Sequence, residues 1–473
     1  MTTAADLPEI IQGGMGVAIS NWVLARAVSQ TGQLGVVSGV ALDLVLTRKL
    51  QDGDPGGHVR RALAAFPIPD MAERVLSRYY LPDGRQGAPY APYPRMAVKQ
   101  SVALQELNVV GAFVEVWLAK EGHDGLVGMN LLEKIQMATP AAALGAMLAG
   151  VDAVLMGAGV PREIPRLLNA LAAASAVKFP VDVDGDEDAA FFVDLDPVQL
   201  LGSHAHGLKR PVFLAIVSAH VLAGYLARDE DIRPDGFVVE TSVAGGHNAP
   251  PRRPEIDERG DIVFGPRDEP DLARISALGL PFWIAGAMGS PEQLRAAQAD
   301  GARGIQVGTV FALCSDSGMA PAIRSDLLER LAAGTLEIRT SALASPTGFP
   351  FKVAQVPGTI GDPATYAARP RLCDLGYLRT PFVKPEGGLG YRCAAEPEHM
   401  YVKKGGDEAQ LAGRACLCNG LAATIGLGQH RVDGYDEAPL VTMGSDLAGA
   451  RRLLELHPMG WTASQAISWL TGP

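Results

Sequence analysis

The chain has 473 residues, 48% of them hydrophobic and 20% charged, the balance of a globular protein rather than a disordered or fibrous one. Its formal charge of −11, from 52 acidic and 41 basic residues, leaves no electrostatic footprint for nucleic acid or an anionic membrane surface, so a small-molecule substrate is expected. The start lacks the basic-then-apolar run of a signal peptide and no uninterrupted apolar stretch of about 18 residues occurs, so a cytoplasmic protein with no membrane span is expected.

In chain order, eight short apolar runs recur, at 9–13, 34–39, 126–130, 153–157, 212–218, 237–242, 282–286 and 305–308. Most end in a Gly, Asp or Asn turn and lack polar alternation, which predicts strands buried on both faces. Apolar residues at helical spacing follow several of them, over 21–29, 139–149, 164–174, 219–228 and 291–299. Strand then helix, about eight times, with glycine turns after the strands, predicts an α/β fold of the (β/α)8 TIM barrel type.

Two regions break the rhythm. Residues 44–105 form an insertion after the second strand, rich in Pro and in Tyr79, Tyr80, Tyr90 and Tyr93, and read as a lid or a homodimer contact; exposed tyrosines favour the contact. Residues 331–473 form a C-terminal, mostly helical extension that caps the barrel, with helices expected over 445–456 and 462–470. The barrel is then divided into 1–43 and 106–330. Five cysteines without a Cys-x-x-Cys pair argue against a disulfide framework, and Cys416 and Cys418 read as buried small hydrophobes.

Chemistry concentrates in the turns. Pro281–Ser290 and 304–309 are apolar strands ending in small-residue turns, at Gly286-Ala287 and at Gln306-Val307-Gly308-Thr309. Their backbone N–H groups suit a phosphate, and a pair after strands seven and eight is the phosphate cup common in barrels. The first strand ends Gln12-Gly13-Gly14-Met15, where main chain can approach a planar ligand and Met15 can pack on a ring. The third ends Gly128-Met129-Asn130, whose amide either meets a heterocycle edge or caps the next helix. Ser218, at the end of the fifth, either touches the ligand or caps the helix after it. The sixth runs into Ala244-Gly245-Gly246-His247, which brings an imidazole of ordinary pKa near 6.5 to the mouth as a proton donor or acceptor near neutral pH. His204 and His206 lack a third ligand beside them, so no metal is expected.

As a set, over residues 9–318, these motifs resemble the nitronate monooxygenase family, formerly 2-nitropropane dioxygenase, and the related flavin-dependent enoyl-acyl carrier protein reductases and polyketide or polyunsaturated fatty acid enoyl reductases. The resemblance implies FMN at the barrel mouth. Gly13, Gly14, Met15 and Asn130 would lie along the flavin, Gly245 and Gly246 would approach it, and Gly286, Ala287, Gln306, Gly308 and Thr309 would hold it at the phosphate end. His247 matches the family's active-site histidine. Three activities follow. A nitronate monooxygenase would oxidise alkyl nitronates with dioxygen, with His247 orienting the nitro group or deprotonating a nitroalkane. An enoyl-thioester reductase would use NAD(P)H as reductant and an acyl carrier protein as partner. The third is a flavin-binding protein without turnover. The insertion, the long tail, the Cys416-Leu417-Cys418 stretch and the Asn248-Ala249-Pro250-Pro251-Arg252 continuation depart from the compact members and leave the substrate open.

Overall fold

A computed structural model describes residues 2–186, 191–253 and 255–472. Its centre is a ring of eight parallel strands: β1 (Ile10–Gln12), β2 (Gly35–Ser38), β3 (Val127–Leu132), β4 (Ala153–Gly157), β5 (Val212–Val217), β6 (Gly236–Glu240), β7 (Phe282–Ala285) and β8 (Gly304–Val307). Each pairs in parallel with its chain neighbours, and β8 pairs back onto β1. The ring closes between β1 and β2, where Gln12 N–H donates to Leu34 O and Leu34 N–H to Ile10 O. All eight apolar runs are barrel strands.

Both faces of these strands are covered, which is why they read as continuous apolar runs. Ile11, Leu34, Val36, Leu155, Leu214, Val238 and Trp283 fill the interior, and Leu7 joins them from the N-terminal segment. The alternate residues face the helices, as Ile10, Val37, Val239 and Ile305 do. Helices Trp22–Ser29, Thr139–Leu148, Ile164–Ala172, His220–Arg228 and Pro291–Ala299 lie where the periodicity put them. Asn21 starts the first by accepting Leu24 N–H on its side chain.

The insertion folds as helices Leu42–Gln51, His58–Ala64 and Pro69–Tyr79 before the long helix Val102–Lys120. That last helix is long and apolar enough to cross a membrane by length and composition, but it is mostly buried in the fold. Gly111 and Gly145 let Leu42–Gln51 and Thr139–Leu148 pack directly on its backbone. Its Glu115 is buried and paired, accepting Trp22 N–H and the Lys49 ammonium at 2.9 and 2.8 Å.

The tyrosines do not form an exposed patch. Tyr79 and Tyr90 are buried, and Arg48 and Arg85 stack on the Tyr90 ring while its hydroxyl donates to Asp52. The exposure on which a contact reading rested is therefore missing, because the aromatic rings found partners within the chain.

The C-terminal region is helical and adds two short hairpins, Ile338–Ser341 with Phe351–Ala354 and Thr380–Val383 with Leu389–Arg392. A further hairpin, Val177–Pro180 with Phe192–Leu195, lies between β4 and β5, where no strand pair was expected. The last helix, Ala463–Thr471, packs between Trp22–Ser29 and Pro291–Ala299 and so takes the eighth place in the helical ring. Cys416 precedes helix Leu417–Thr424 instead of sitting in a strand, and it packs with Cys393 and Cys418 as a small apolar cluster.

Candidate active site at the barrel mouth

One cavity, of about 240 Å³, opens at the C-terminal ends of the strands. Gly13, Gly14 and Met15 line it after β1, Asn130 within β3, and Gly245, Gly246 and His247 after β6. Gly286 and Ala287 line it after β7, and Gln306, Gly308 and Thr309 at β8. Ser218 is not among the lining residues. It faces a second cavity, and the helix after it is capped by Ala219 without a side-chain bond, so neither role expected for Ser218 is seen.

The β1 turn is pinned from below. Gln12 is fully buried, its amide donating to Gly13 O and Ser20 Oγ and accepting Val36 N–H, while Ser20 Oγ also accepts Met15 N–H at 3.0 Å. Asn130 and Gln306 bracket this turn. A Cβ on Gly13 would lie 3.5 Å from Gln306 Cγ, and one on Gly14 would overlap the Asn130 side chain. Asn130 Nδ2 donates to Gly14 O at 3.2 Å, but its Oδ1 is buried without a partner, and so is Gln306 Oε1. Two unsatisfied amide oxygens each side of a glycine turn are a standing cost unless a ligand or water meets them. Gly14→Ala should push Asn130 aside and weaken binding of the FMN expected from the sequence about 10–100-fold, the equivalent of the roughly 1–3 kcal/mol that overpacking costs. Fluorescence titration of the apoprotein with FMN reads this directly.

At the opposite end, Ala287 is held at φ 56°, and Ala41 and Ala158, which also line the cavity, have φ 55° and 61°. Left-handed alanines cost about 1–2 kcal/mol each, so strain is concentrated at this mouth. The tail completes the wall. Gly246 N–H donates to Thr442 Oγ1, Gly444 N–H donates to Thr309 Oγ1, and Gly449 packs on the Gly289 backbone. A Cβ on Gly245 would meet Gly444 N at 2.8 Å. The Gly246 amide is thus committed to the tail rather than free for a ligand.

His247 Nε2 lies 2.7 Å from Ser345 Oγ, and its ring meets Phe351 edge-on at 4.7 Å. Burial, reinforced by the Lys134 ammonium, pushes its pKa down to about 4. The expectation of a proton shuttle near neutral pH is corrected here: the imidazole is neutral, because it is enclosed and has no carboxylate partner among the described residues. Ser345→Ala should free the ring and lower kcat/KM about 2–10-fold, the worth of one neutral hydrogen bond, with the content of the expected flavin unchanged. Steady-state kinetics with a flavin assay on the same sample separate the two effects.

Three features escaped the sequence reading. Glu240 lines the cavity, and burial alone raises its carboxyl to about 7. Tyr377 lines it too, donating to the buried Asp43 at 2.6 Å and sharing a hydrogen bond with Tyr93. Leu378, Leu417 and Leu421 from the tail add an apolar wall.

A closed parallel barrel whose strand ends open into one cavity has the architecture of barrels that carry their sites at the C-terminal face. Residues 203–343 match the family model of nitronate monooxygenase, which supports an oxidoreductase and bears out the resemblance. The match takes in β5 to β8 and the 244–247 turn, but not the turns after β1 and within β3. Among solved structures the chain is similar to nitroalkane oxidase from Streptomyces ansochromogenes, at 15% identity and TM-score 0.46 over 98% of this chain and 94% of that one. It is similar to FabK from Thermotoga maritima, at 16% and 0.41 over 76% of each. The enoyl reductase domain of MlnA from the macrolactin biosynthesis cluster of Bacillus amyloliquefaciens follows at 12% and 0.40, over 74% of this chain and 64% of that one. No curated protein matches the chain.

Proposed function

We propose that the mouth cavity holds FMN and that the protein is a nitronate monooxygenase, converting alkyl nitronates and dioxygen to carbonyl compounds and nitrite. The observation that carries the reading is the pair of unpartnered amide oxygens, Asn130 Oδ1 and Gln306 Oε1, bracketing the Gly13–Gly14 turn. They offer acceptors to the single ring N–H of an oxidised flavin and to a water beside it, with Met15 as an apolar contact. Gly286, Ala287, Gly308 and Thr309 would hold the phosphate. FMN bound there supplies redox chemistry that no side chain of the protein can.

The neutral His247 and the Lys134 ammonium favour an anionic nitronate in the cavity. A neutral His247 can hydrogen-bond a nitro oxygen, and the Lys134 ammonium adds a positive potential close by. With a pKa of about 4, His247 is too weak a base to strip a carbon acid at neutral pH.

One observation favours the second reading, an enoyl-thioester reductase fed by NAD(P)H: the apolar wall of Leu378, Leu417 and Leu421 suits an acyl chain. Anaerobic stopped-flow mixing of the yellow protein separates the two. Bleaching by a nitronate and not by NAD(P)H is the expected result; rapid bleaching by NAD(P)H alone would replace the monooxygenase with the reductase.

A further inference from the structure

Glu240 is the only ionisable side chain in the eight barrel strands. Alternation along β6 places Val238 in the barrel interior, and Glu240, two residues on, shares that inward face at the mouth. No hydrogen bond or ion pair holds its carboxyl among the described residues. The side chain lines two cavities at once. One is the mouth cavity, with His247 and Gln306; the other, of about 210 Å³, is walled by Ser218, Thr241, Asn248 and Asp268. The second cavity is polar and unsatisfied. Asn248 is 5% exposed with its Oδ1 unpartnered, and Thr241 Oγ1 is unpartnered as well. Buried polar atoms facing a cavity of this kind are normally met by water.

Resting on the nitronate reading above, we propose that Glu240 is a general base that makes the nitronate from a neutral nitroalkane, with the second cavity as its proton outlet. The carboxylate takes the proton from the carbon bearing the nitro group. The C–H bonding pair becomes the carbon–nitrogen double bond, and the displaced nitrogen–oxygen π pair leaves the negative charge on the nitro oxygens. The proton then passes from Glu240 to the hydroxyl and carboxylate wall of Ser218, Thr241 and Asp268 and out to solvent, which restores the base.

The charged surroundings agree with this role. Arg252 and Asp268 face Glu240 across the second cavity, and His247 shares the mouth with it, backed by Lys134. None of them outweighs burial, which alone raises the carboxyl to about 7. Glu240 is then the stronger base of the two mouth residues by about three pH units, a factor of roughly 1000 in proton affinity.

The test compares neutral nitroethane with preformed ethyl nitronate, as oxygen uptake by the holoenzyme, in wild type and Glu240→Gln. The expected result is a loss of about 10²–10⁴-fold on nitroethane, the usual worth of a general base, against a fall of less than about tenfold on the nitronate. Wild-type turnover of nitroethane should rise with pH to a plateau above about 7 and slow with deuterium at the reacting carbon. An infrared titration gives a readout without turnover: a protonated-carboxyl band that disappears near pH 7 and is missing in Glu240→Gln. Nitroethane turnover in Glu240→Gln equal to wild type, or an equal loss on both substrates, overturns the base assignment alone. A wild-type enzyme inert to ethyl nitronate overturns the nitronate reading and this assignment with it.

Discussion

Glu437→Ala will cost the fold about 3–5 kcal/mol, the cost of leaving a buried charge without its partner. Glu437 and Arg369 form a buried ion pair at 2.5 Å, with side chains 0% and 5% exposed, and Arg431 stands 3.7 Å away. Removing the carboxylate leaves the Arg369 guanidinium enclosed, with Pro370 O as its remaining partner and Nη2 unpaired. The loss reaches the mouth, because Glu437 opens the segment that runs through Leu440 and Val441 to Thr442 and Gly444 on the cavity wall. Urea unfolding measures the cost. The double variant Arg369→Met/Glu437→Leu should recover most of it, since apolar groups of similar volume replace such pairs at little cost. A single variant as stable as wild type would show that water reaches the pair.

The second large effect is a pH-dependent gain. In Glu240→Gln the fold should be no more stable than wild type at pH 4 and more stable by on the order of 3 kcal/mol above pH 7. The carboxyl is raised from the ordinary 4.5 to about 7, so the folded state holds a proton that the unfolded chain has released. Its contribution to stability is present below 4.5 and is lost as pH rises through 7. His247 runs the other way: its pKa falls from 6.5 to about 4, so its contribution is present above 6.5 and is lost as pH falls through 4. Asp43, raised to about 6 by burial, follows Glu240. The difference between variant and wild type cancels the other two groups, and thermal unfolding from pH 4 to 9 reads it. A flat difference would mean that Glu240 titrates normally.

The eight strands were legible because a barrel strand is covered on both faces and therefore reads as an unbroken apolar run. The glycine turns were legible for a related reason: main chain approaching a ligand, or another turn, leaves no room for a Cβ, as Gly14 against Asn130 and Gly286 against Thr241 demonstrate. Glu240 was in plain view as the last residue of an apolar run, and the period of two from Val238 would have aimed it inward. What could not be read is long-range. Asp43, Tyr93 and Tyr377 meet at one hydrogen-bonded cluster from three distant segments, and Gly444 and Gly449 reach the mouth from a tail whose strand–helix rhythm had stopped. The same tail supplies the last helix of the ring, Ala463–Thr471; its pattern announces a helix but not its place between Trp22–Ser29 and Pro291–Ala299. The protonation of His247 was misjudged because burial and the Lys134 charge are properties of the folded neighbourhood, not of the Gly-Gly-His turn.

The central claim, that the mouth cavity is an FMN site, has a direct measurement. The purified protein is denatured, the released small molecules are separated, and the flavin is identified and counted against the chain. About one FMN per chain, falling sharply in Gly14→Ala, is the predicted result. A protein that releases no flavin and takes up none when reconstituted with FMN would contradict it.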